Sequence, residues 1–302
     1  MTNVKTMNFL SAERFIRDTI GRKGIGAVIG EKGSGKTHIK RQVIGALEEK
    51  KGSYAIIDVT PMSEGVRNIT QIMSAIIQDI SGEGPRHDSE ARRRQLRRIL
   101  GDSGSDIILA IDEAQDLHKS TLRGLKKLHE LGFGMKDRLF SIILFGQPSL
   151  KDRIADDELR PRFKRLQMSD LTAKEKALFI ENHALFTEKA LDTFLKRTKK
   201  TPLAVITAYE ELDEMRSDLD QKKITEEMVN DYFSLAIREA LAAMDKSYRR
   251  KAKEIEETTG EKISPATVHQ YEKGNYKGNN DRLDDLMSRY VHKSIGPISK
   301  AL

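Results

Sequence analysis

Short runs of consecutive apolar residues alternate along this chain with longer stretches in which apolar positions recur every three or four. Gly26-Ala27-Val28-Ile29, Tyr54-Ala55-Ile56-Ile57-Asp58-Val59, Ile107-Ile108-Leu109-Ala110-Ile111 and Leu139-Phe140-Ser141-Ile142-Ile143-Leu144-Phe145 are the runs. The first and third are short and unbroken and predict strands buried on both faces, as in a parallel sheet, while the second, with Asp58, and the fourth, with Ser141, read as further β-rich runs. Between them the period changes. Stretches over 7–20, 37–50, 69–80 and 120–131 predict helices; in the second, Ile39, Val43, Ile44 and Leu47 make one apolar side with Lys and Arg between them. A polar loop bearing Gly and Pro follows at 81–88. Strands alternating with helices mean a parallel sheet with helices on both faces.

Beyond Thr172 the strand signals stop. Helical patterns cover 174–191, 202–215 and 225–240, and a basic run from Lys246 to Lys253 opens a last segment. The expected organisation is therefore an α/β domain over 1–171, a helical subdomain over 172–244 and a small C-terminal domain over 245–302. No internal repeat or low-complexity segment interrupts it. The 302 residues suffice for one α/β domain plus something smaller.

Two of the runs end in residues that carry chemistry. The first leads into Gly30-Glu31-Lys32-Gly33-Ser34-Gly35-Lys36-Thr37, which meets G-x-x-x-x-G-K-[ST] at every fixed position. Glycines let the loop curl so that successive N–H groups point into one concavity suited to a polyanion, and the following helix adds its positive end. Residues Gly30 to Thr37, with His38, are the candidate ATP-binding set. Lys36 is expected to reach the β- and γ-phosphates, and the Thr37 hydroxyl to ligate Mg²⁺. The third run ends in Asp112-Glu113, the Walker B pattern: Asp112 is the second candidate Mg²⁺ group, and Glu113 the candidate general base that polarises the attacking water. The two motifs in this order, one small α/β domain apart, predict a chain that binds and hydrolyses ATP.

Charge adds a partner class. Net charge is +7 and the sequence pI about 9.3, a lean towards nucleic acid. The absence of cysteine excludes disulfides and cysteine-ligated zinc, in keeping with a reducing cytoplasm. No run approaches the ~18 apolar residues of a membrane span, and the N-terminus lacks the apolar region of a signal peptide. Cytoplasmic localisation is the expectation.

The order of a Walker A loop, a Walker B strand ending Asp112-Glu113-Ala114, and a strand ending Gly146-Gln147-Pro148 resembles the AAA+ ATPases of transposition. That group includes the phage Mu B protein, TnsC and IstB, with the secretion ATPase ExeA as a cousin. The similarity covers residues 1 to about 240 and implies an AAA+ core followed by a helical lid. In the tail, Ser264 and Pro265 open what reads as the recognition helix of a helix-turn-helix, through Val268 to Tyr271. The continuation to Leu283 is similar to the small helix-turn-helix domain of Mu B, which is N-terminal there and C-terminal here.

The resemblance implies further roles. Gln147 matches sensor 1, a polar side chain that orients the lytic water or contacts the γ-phosphate. The segment from Leu159 to Arg165 sits where the family carries an arginine finger for a neighbour's site, with Arg162 the first candidate and Arg160 and Arg165 behind it. Sensor 2 departs from pattern: Thr201-Pro202-Leu203-Ala204-Val205 has no arginine, and Lys199 or Lys200 substitutes only if the loop bends back. DNA contacts are expected from Arg92, Arg93, Arg94, Arg97 and Arg98, five arginines in seven residues, and from Lys119, Arg123, Lys126 and Lys127 on the next helix. A solvated helix face is the other reading of such runs. Thr267, His269 and Gln270 would add a second contact, to DNA or to protein. The implied protein is an ATP-dependent regulator that oligomerises on duplex DNA as a ring or filament and marks it for a transposase. A helicase loader of the DnaC type and an ATP-gated helix-turn-helix transcriptional regulator are the alternatives.

Overall fold

The computed structural model describes residues 4–49, 54–60, 68–155, 159–276 and 280–295. The chain divides into two compact units, Met1–Ser169 and Asp170–Leu302.

The first unit is built on a five-stranded parallel sheet in the order β2-β3-β4-β1-β5. The strands are β1 (Ile25–Ile29), β2 (Tyr54–Val59), β3 (Asp106–Ile111), β4 (Phe140–Gly146) and β5 (Phe163–Gln167). Helices α1 (Met7–Gly21), α2 (Lys36–Glu48), α3 (Ile69–Ser81), α4 (Ser89–Asp102), α5 (Lys119–His129) and the short α6 (Ser149–Arg153) complete it. Alternation along each strand sorts the core into two layers. Ala27, Ile29, Leu109, Ile111, Ile142 and Leu144 pack with apolar residues of α3, α4 and α5. Val28, Ile108, Ala110, Ile143 and Phe145 pack on the other face with Phe9, Ile16, Ile39 and Val43 of α1 and α2. Burying each Val, Leu, Ile or Phe among them contributes about 1.5–3 kcal/mol. Phe9 and Ile16 are thus core residues of α1, whereas Leu10 is exposed.

The topology sets where the motifs meet. β1 and β3 are separated in sequence by β2 but in space only by β4, which pairs with both. Ile29 stands opposite Gly146 and Ile111 opposite Leu144, so all three strand ends fall on the carboxyl edge of the sheet. Ligands of open α/β sheets bind at that edge, where the strand order reverses.

β5 is a strand that the apolar runs did not mark, and it takes in the end of the segment from Leu159 to Arg165. Phe163 pairs with Ile25 and Gln167 with Ile29. As an edge strand with Lys164 and Arg165 in solvent, it lacks the apolar run that marks its neighbours.

The second unit is helical: α7 (Ala173–Ala177), α8 (Glu188–Arg197), α9 (Pro202–Asp218), α10 (Glu226–Ala243), α11 (Tyr248–Thr259), α12 (Pro265–Glu272) and α13 (Asn280–Ile295). The helix expected over 174–191 is broken. Thr172 and Glu175 form a capping box around the single turn of α7, Asn182 caps a 3-10 turn at His183–Leu185, and Thr187 caps a fresh start at α8. Each capping side chain satisfies N–H groups at a helix start, so together they punctuate what apolar spacing alone reads as continuous. The boundary expected at 244/245 does not coincide with a gap in packing. One apolar cluster joins Phe194, Val229 and Ile237 to Ile255, Val268, Leu286 and Tyr290. Among the described residues no helix is long and apolar enough to cross a membrane.

Candidate functional site

The phosphate loop turns through glycine. Gly35 sits at the N-cap of α2 with φ 94°, a left-handed conformation that disfavours side chains, and the cap makes no side-chain hydrogen bond. The first N–H groups of α2 are therefore left for an anion, with the helix dipole behind them. Lys36, buried, donates from Nζ to the carbonyls of Gly30 at 2.8 Å and Glu31 at 2.9 Å. Burial pushes its ammonium below the ordinary lysine value, an effect the carboxylates of Glu113, Asp112 and Glu31 oppose. Ser34 is buried and holds its hydroxyl 3.6 Å from the Met168 sulfur, whereas Glu31, Lys32, Thr37 and His38 are exposed. His38 has Phe9 as a ring neighbour, with centroids 6.4 Å apart.

Asp112 leaves the end of β3 buried, at 5% exposure. Its Oδ2 accepts from the Thr37 hydroxyl at 3.3 Å, and its Oδ1 from the Glu113 N–H at 3.0 Å. The structure thus brings together the two groups expected to hold Mg²⁺. One carboxylate and one hydroxyl fall short of a protein-made cage, which suits an ion held mainly by phosphate oxygens and water. Among the described residues no group of three or more His, Cys, Asp or Glu side chains could hold a metal by itself.

Glu113 adopts a left-handed conformation, φ 45° and ψ 40°, unusual for a residue with a side chain and costing about 1–2 kcal/mol. Its Oε2 accepts from Gln115 Nε2 at 2.6 Å and from Gln147 Nε2 at 3.4 Å. Gln115 also accepts, through Oε1, from the Gln147 N–H at 3.0 Å. The candidate base and the candidate sensor are thereby tied through a buried glutamine that sequence reasoning passed over. Its one signal was position, two residues beyond Glu113 in the turn that ends the Walker B strand. Lys40 was also missed: its ammonium lies 3.2 Å from Asp112 and 2.9 Å from Asp58.

The remaining candidates lie elsewhere. Arg162 immediately precedes β5 and is 3.5 Å from Glu130, which follows α5. Phe163 is level with Ile25, at the start of β1, whereas the phosphate loop follows Ile29 at its end. A strand length of about 16 Å therefore separates Arg162 from the phosphate loop of its own chain. Arg160 is exposed at the same edge, and Arg165 is an exposed β5 residue opposite Ala27. In the second unit, Lys200 pairs with Asp170 at 3.1 Å.

Several arginines of α4 are engaged locally. Arg98 pairs with Glu83 at 2.6 Å, Arg97 donates to the Gly132 carbonyl at 2.5 Å, Arg92 to the His87 carbonyl at 3.3 Å, and Arg94 lies 3.8 Å from Glu90. Arg93 is exposed. Lys119, Arg123 and Lys127 on α5 are exposed and Lys126 is half-buried, and both helices pack on the same face of the sheet. In α12, Ser264 accepts from the Thr267 N–H at 3.0 Å and Val268 is fully buried, while His269 and Gln270 are exposed. Thr267 is half-buried with its hydroxyl 2.8 Å from Ser264, and His269 stacks edge-on against Tyr248 at 4.9 Å. Residues 277–279 of the Mu B-like segment lie outside the described residues.

Residues 17–154 match the family profile described as AAA domain. Over these residues, rather less than half of the chain, the sequence is similar to that family. No curated protein sequence matches the chain. Among solved structures it is similar to the Aeropyrum pernix ORC2 protein in its ADPNP–ADP complexes, with a TM-score of 0.54, 13% identity and coverage of 97% of this chain and 96% of that one. The Aeropyrum pernix ORC1 protein in complex with DNA gives a TM-score of 0.55 at 12% identity, covering 97% and 94%. The Thermotoga maritima RuvB Holliday junction branch migration motor gives 0.52 at 18% identity, covering 96% and 88%. At these identities the likeness is one of fold: a P-loop AAA+ core followed by helices.

Proposed function

We propose that this protein is a cytoplasmic ATPase that binds duplex DNA without sequence preference, assembles on it in an ATP-dependent manner, and marks it as target for a transposase. The observation that carries the ATPase reading is the convergence of Lys36, Thr37, Asp112, Glu113 and Gln147 at one sheet edge beside an uncapped helix start. Lys36 exchanges the Gly30 and Glu31 carbonyls for phosphate oxygens. Thr37 and Asp112 would hold Mg²⁺, which would supply positive charge against that developing on the phosphates. Glu113 takes the proton of the attacking water, while Gln115 and Gln147 fix the direction of its carboxylate.

A self-partner follows from the position of Arg162. A cation a strand length from its own phosphate loop serves hydrolysis only by reaching a neighbour's, so the complete site would need a second copy. DNA as partner is supported by the net charge of +7, by the exposed cations of α4 and α5, and by similarity to the ORC1 structure with DNA and to the RuvB motor. Transposition as the process rests on the sequence resemblance to the Mu B group.

The test is electron microscopy of the protein with random-sequence duplex DNA, under ATP, a non-hydrolysable analogue and no nucleotide. Rings or filaments along the duplex that require nucleotide are the expected result. Dispersed protein, or occupancy of one sequence whatever the nucleotide, would overturn the transposition reading and favour the helix-turn-helix regulator.

A further inference from the structure

Lys40 lies four residues after Lys36, so one helical turn stacks the two lysines on the same side of α2. Its side chain is only 9% exposed, and its ammonium bridges Asp112 Oδ2 at 3.2 Å and Asp58 Oδ1 at 2.9 Å. Asp112 Oδ2 is also the oxygen that accepts from the Thr37 hydroxyl. The cation thus sits on the corner of the carboxylate that faces the metal-binding hydroxyl. A buried carboxylate needs a counter-charge, and Lys40 supplies it from within the chain. Asp58 differs from Asp112 in being half exposed, at 54%, on the neighbouring strand β2. It gives the ammonium a second resting place beside the first.

We propose that Lys40 is a built-in counter-cation of the metal-binding carboxylate, shared with Asp58, which lets the site hold nucleotide without a divalent cation and lowers its affinity for one. The inference rests on the nucleotide-binding reading above. A metal ion drawn to Asp112 meets a like charge a few ångströms away, in a pocket where screening by water is weak. Asp58 neutralises part of that charge and accepts the ammonium when the metal arrives. The two partners of Lys40 therefore act in opposite senses. Removing Lys40 leaves Asp112 and the phosphates to repel each other unless a metal is present. Removing the Asp58 charge leaves Lys40 wholly on Asp112.

The test measures binding of a fluorescent methylanthraniloyl-ATP probe to the full chain in EDTA and across a MgCl₂ titration. Wild-type protein is expected to keep its EDTA affinity within about tenfold of that in Mg²⁺. Lys40→Met should lose about tenfold in EDTA and reach half-saturation at about tenfold lower Mg²⁺, whereas Asp58→Asn should need several-fold more Mg²⁺ than wild type. Opposite shifts cannot come from a general loss of folding, and Asp58 is exposed enough to tolerate the change. Shifts of the same sign, no shift in either variant, or wild-type binding that vanishes in EDTA but not in Mg²⁺ would overturn the role of Lys40 while leaving the nucleotide site standing. Wild-type protein that binds no probe under either condition would overturn the nucleotide reading itself.

Discussion

Gln115 shows how one buried amide can govern a carboxylate it does not chemically resemble. At 8% exposure it donates to Glu113 and accepts from the Gln147 backbone, which uses both ends of the amide in fixed orientation. Glu113 meanwhile occupies left-handed backbone space that an isolated residue would leave, so its carboxylate is held by partners rather than by local preference. The neighbouring strand end is shaped to the same purpose: a Cβ on Gly146 would lie 3.1 Å from Gln115 Oε1 and 2.7 Å from Leu150. Replacing Gln115 by Ala frees Glu113 to rotate and leaves the phosphate loop alone. The expected outcome is a kcat for ATP hydrolysis lower by about 10–100-fold with KM changed little, since misdirecting a base costs transition-state rather than ground-state binding. Glu113→Gln should remove turnover and leave ATP binding intact, read by steady-state hydrolysis beside equilibrium binding.

At the scale of elements, legibility in the sequence follows burial. β1 and β4 are buried throughout and β3 is buried from Ile107 onward, so each carries a mainly apolar run, and the Walker residues at the ends of β1 and β3 could be read with them. β5 was not legible, because Phe163-Lys164-Arg165-Leu166-Gln167 has solvent on its outer side and owes its strand conformation to pairing with β1. Lys40 and Gln115 escaped for a related reason: their partners are fixed by the order of strands in space, which no local spacing encodes. Caps were legible where they stood alone, as Ser264 does before α12, and were overridden by apolar spacing where several follow closely, as between α7 and α8. Ser264→Ala removes the acceptor for the Thr267 N–H and should cost about 1 kcal/mol, read as a fall of a few degrees in Tm. The packing of α11 also carries a pH dependence. Hydrogen bonds from Lys246, Tyr290 and Arg250 hold the Glu254 carboxyl down to about 2, against an ordinary value of 4.5. A depressed folded-state value means stability that is fully present above about 4.5 and lost as pH falls towards about 2. Denaturant unfolding across that window should therefore show a steeper acid loss in wild type than in Glu254→Gln, and equal slopes would dismiss this account.

For the whole molecule, the parallel sheet decides what one copy can do alone. Its carboxyl edge gathers the groups proposed to bind phosphate, hold a metal and activate water, whereas Arg162 sits at the amino edge, 3.5 Å from Glu130. No rearrangement of loops closes that gap while β1 and β5 stay paired in their register, so in this reading catalysis is a property of an interface. The consequence is testable with two inactive variants. Arg162→Ala keeps its own nucleotide machinery and lacks only what it would lend to a neighbour; Glu113→Gln lacks the base and can still lend an arginine. Each should be nearly inactive by itself. Mixed in equal amounts under conditions that favour assembly, about one interface in four would combine an intact Glu113 with an intact Arg162, so hydrolysis should recover to about a quarter of the wild-type rate. If the mixture is as inactive as its components, Arg162 is not the residue that crosses the interface. Applying the same mixing to Arg160→Ala and Arg165→Ala then distinguishes the other two arginines, because only the one that acts on a neighbour's nucleotide can be complemented in trans.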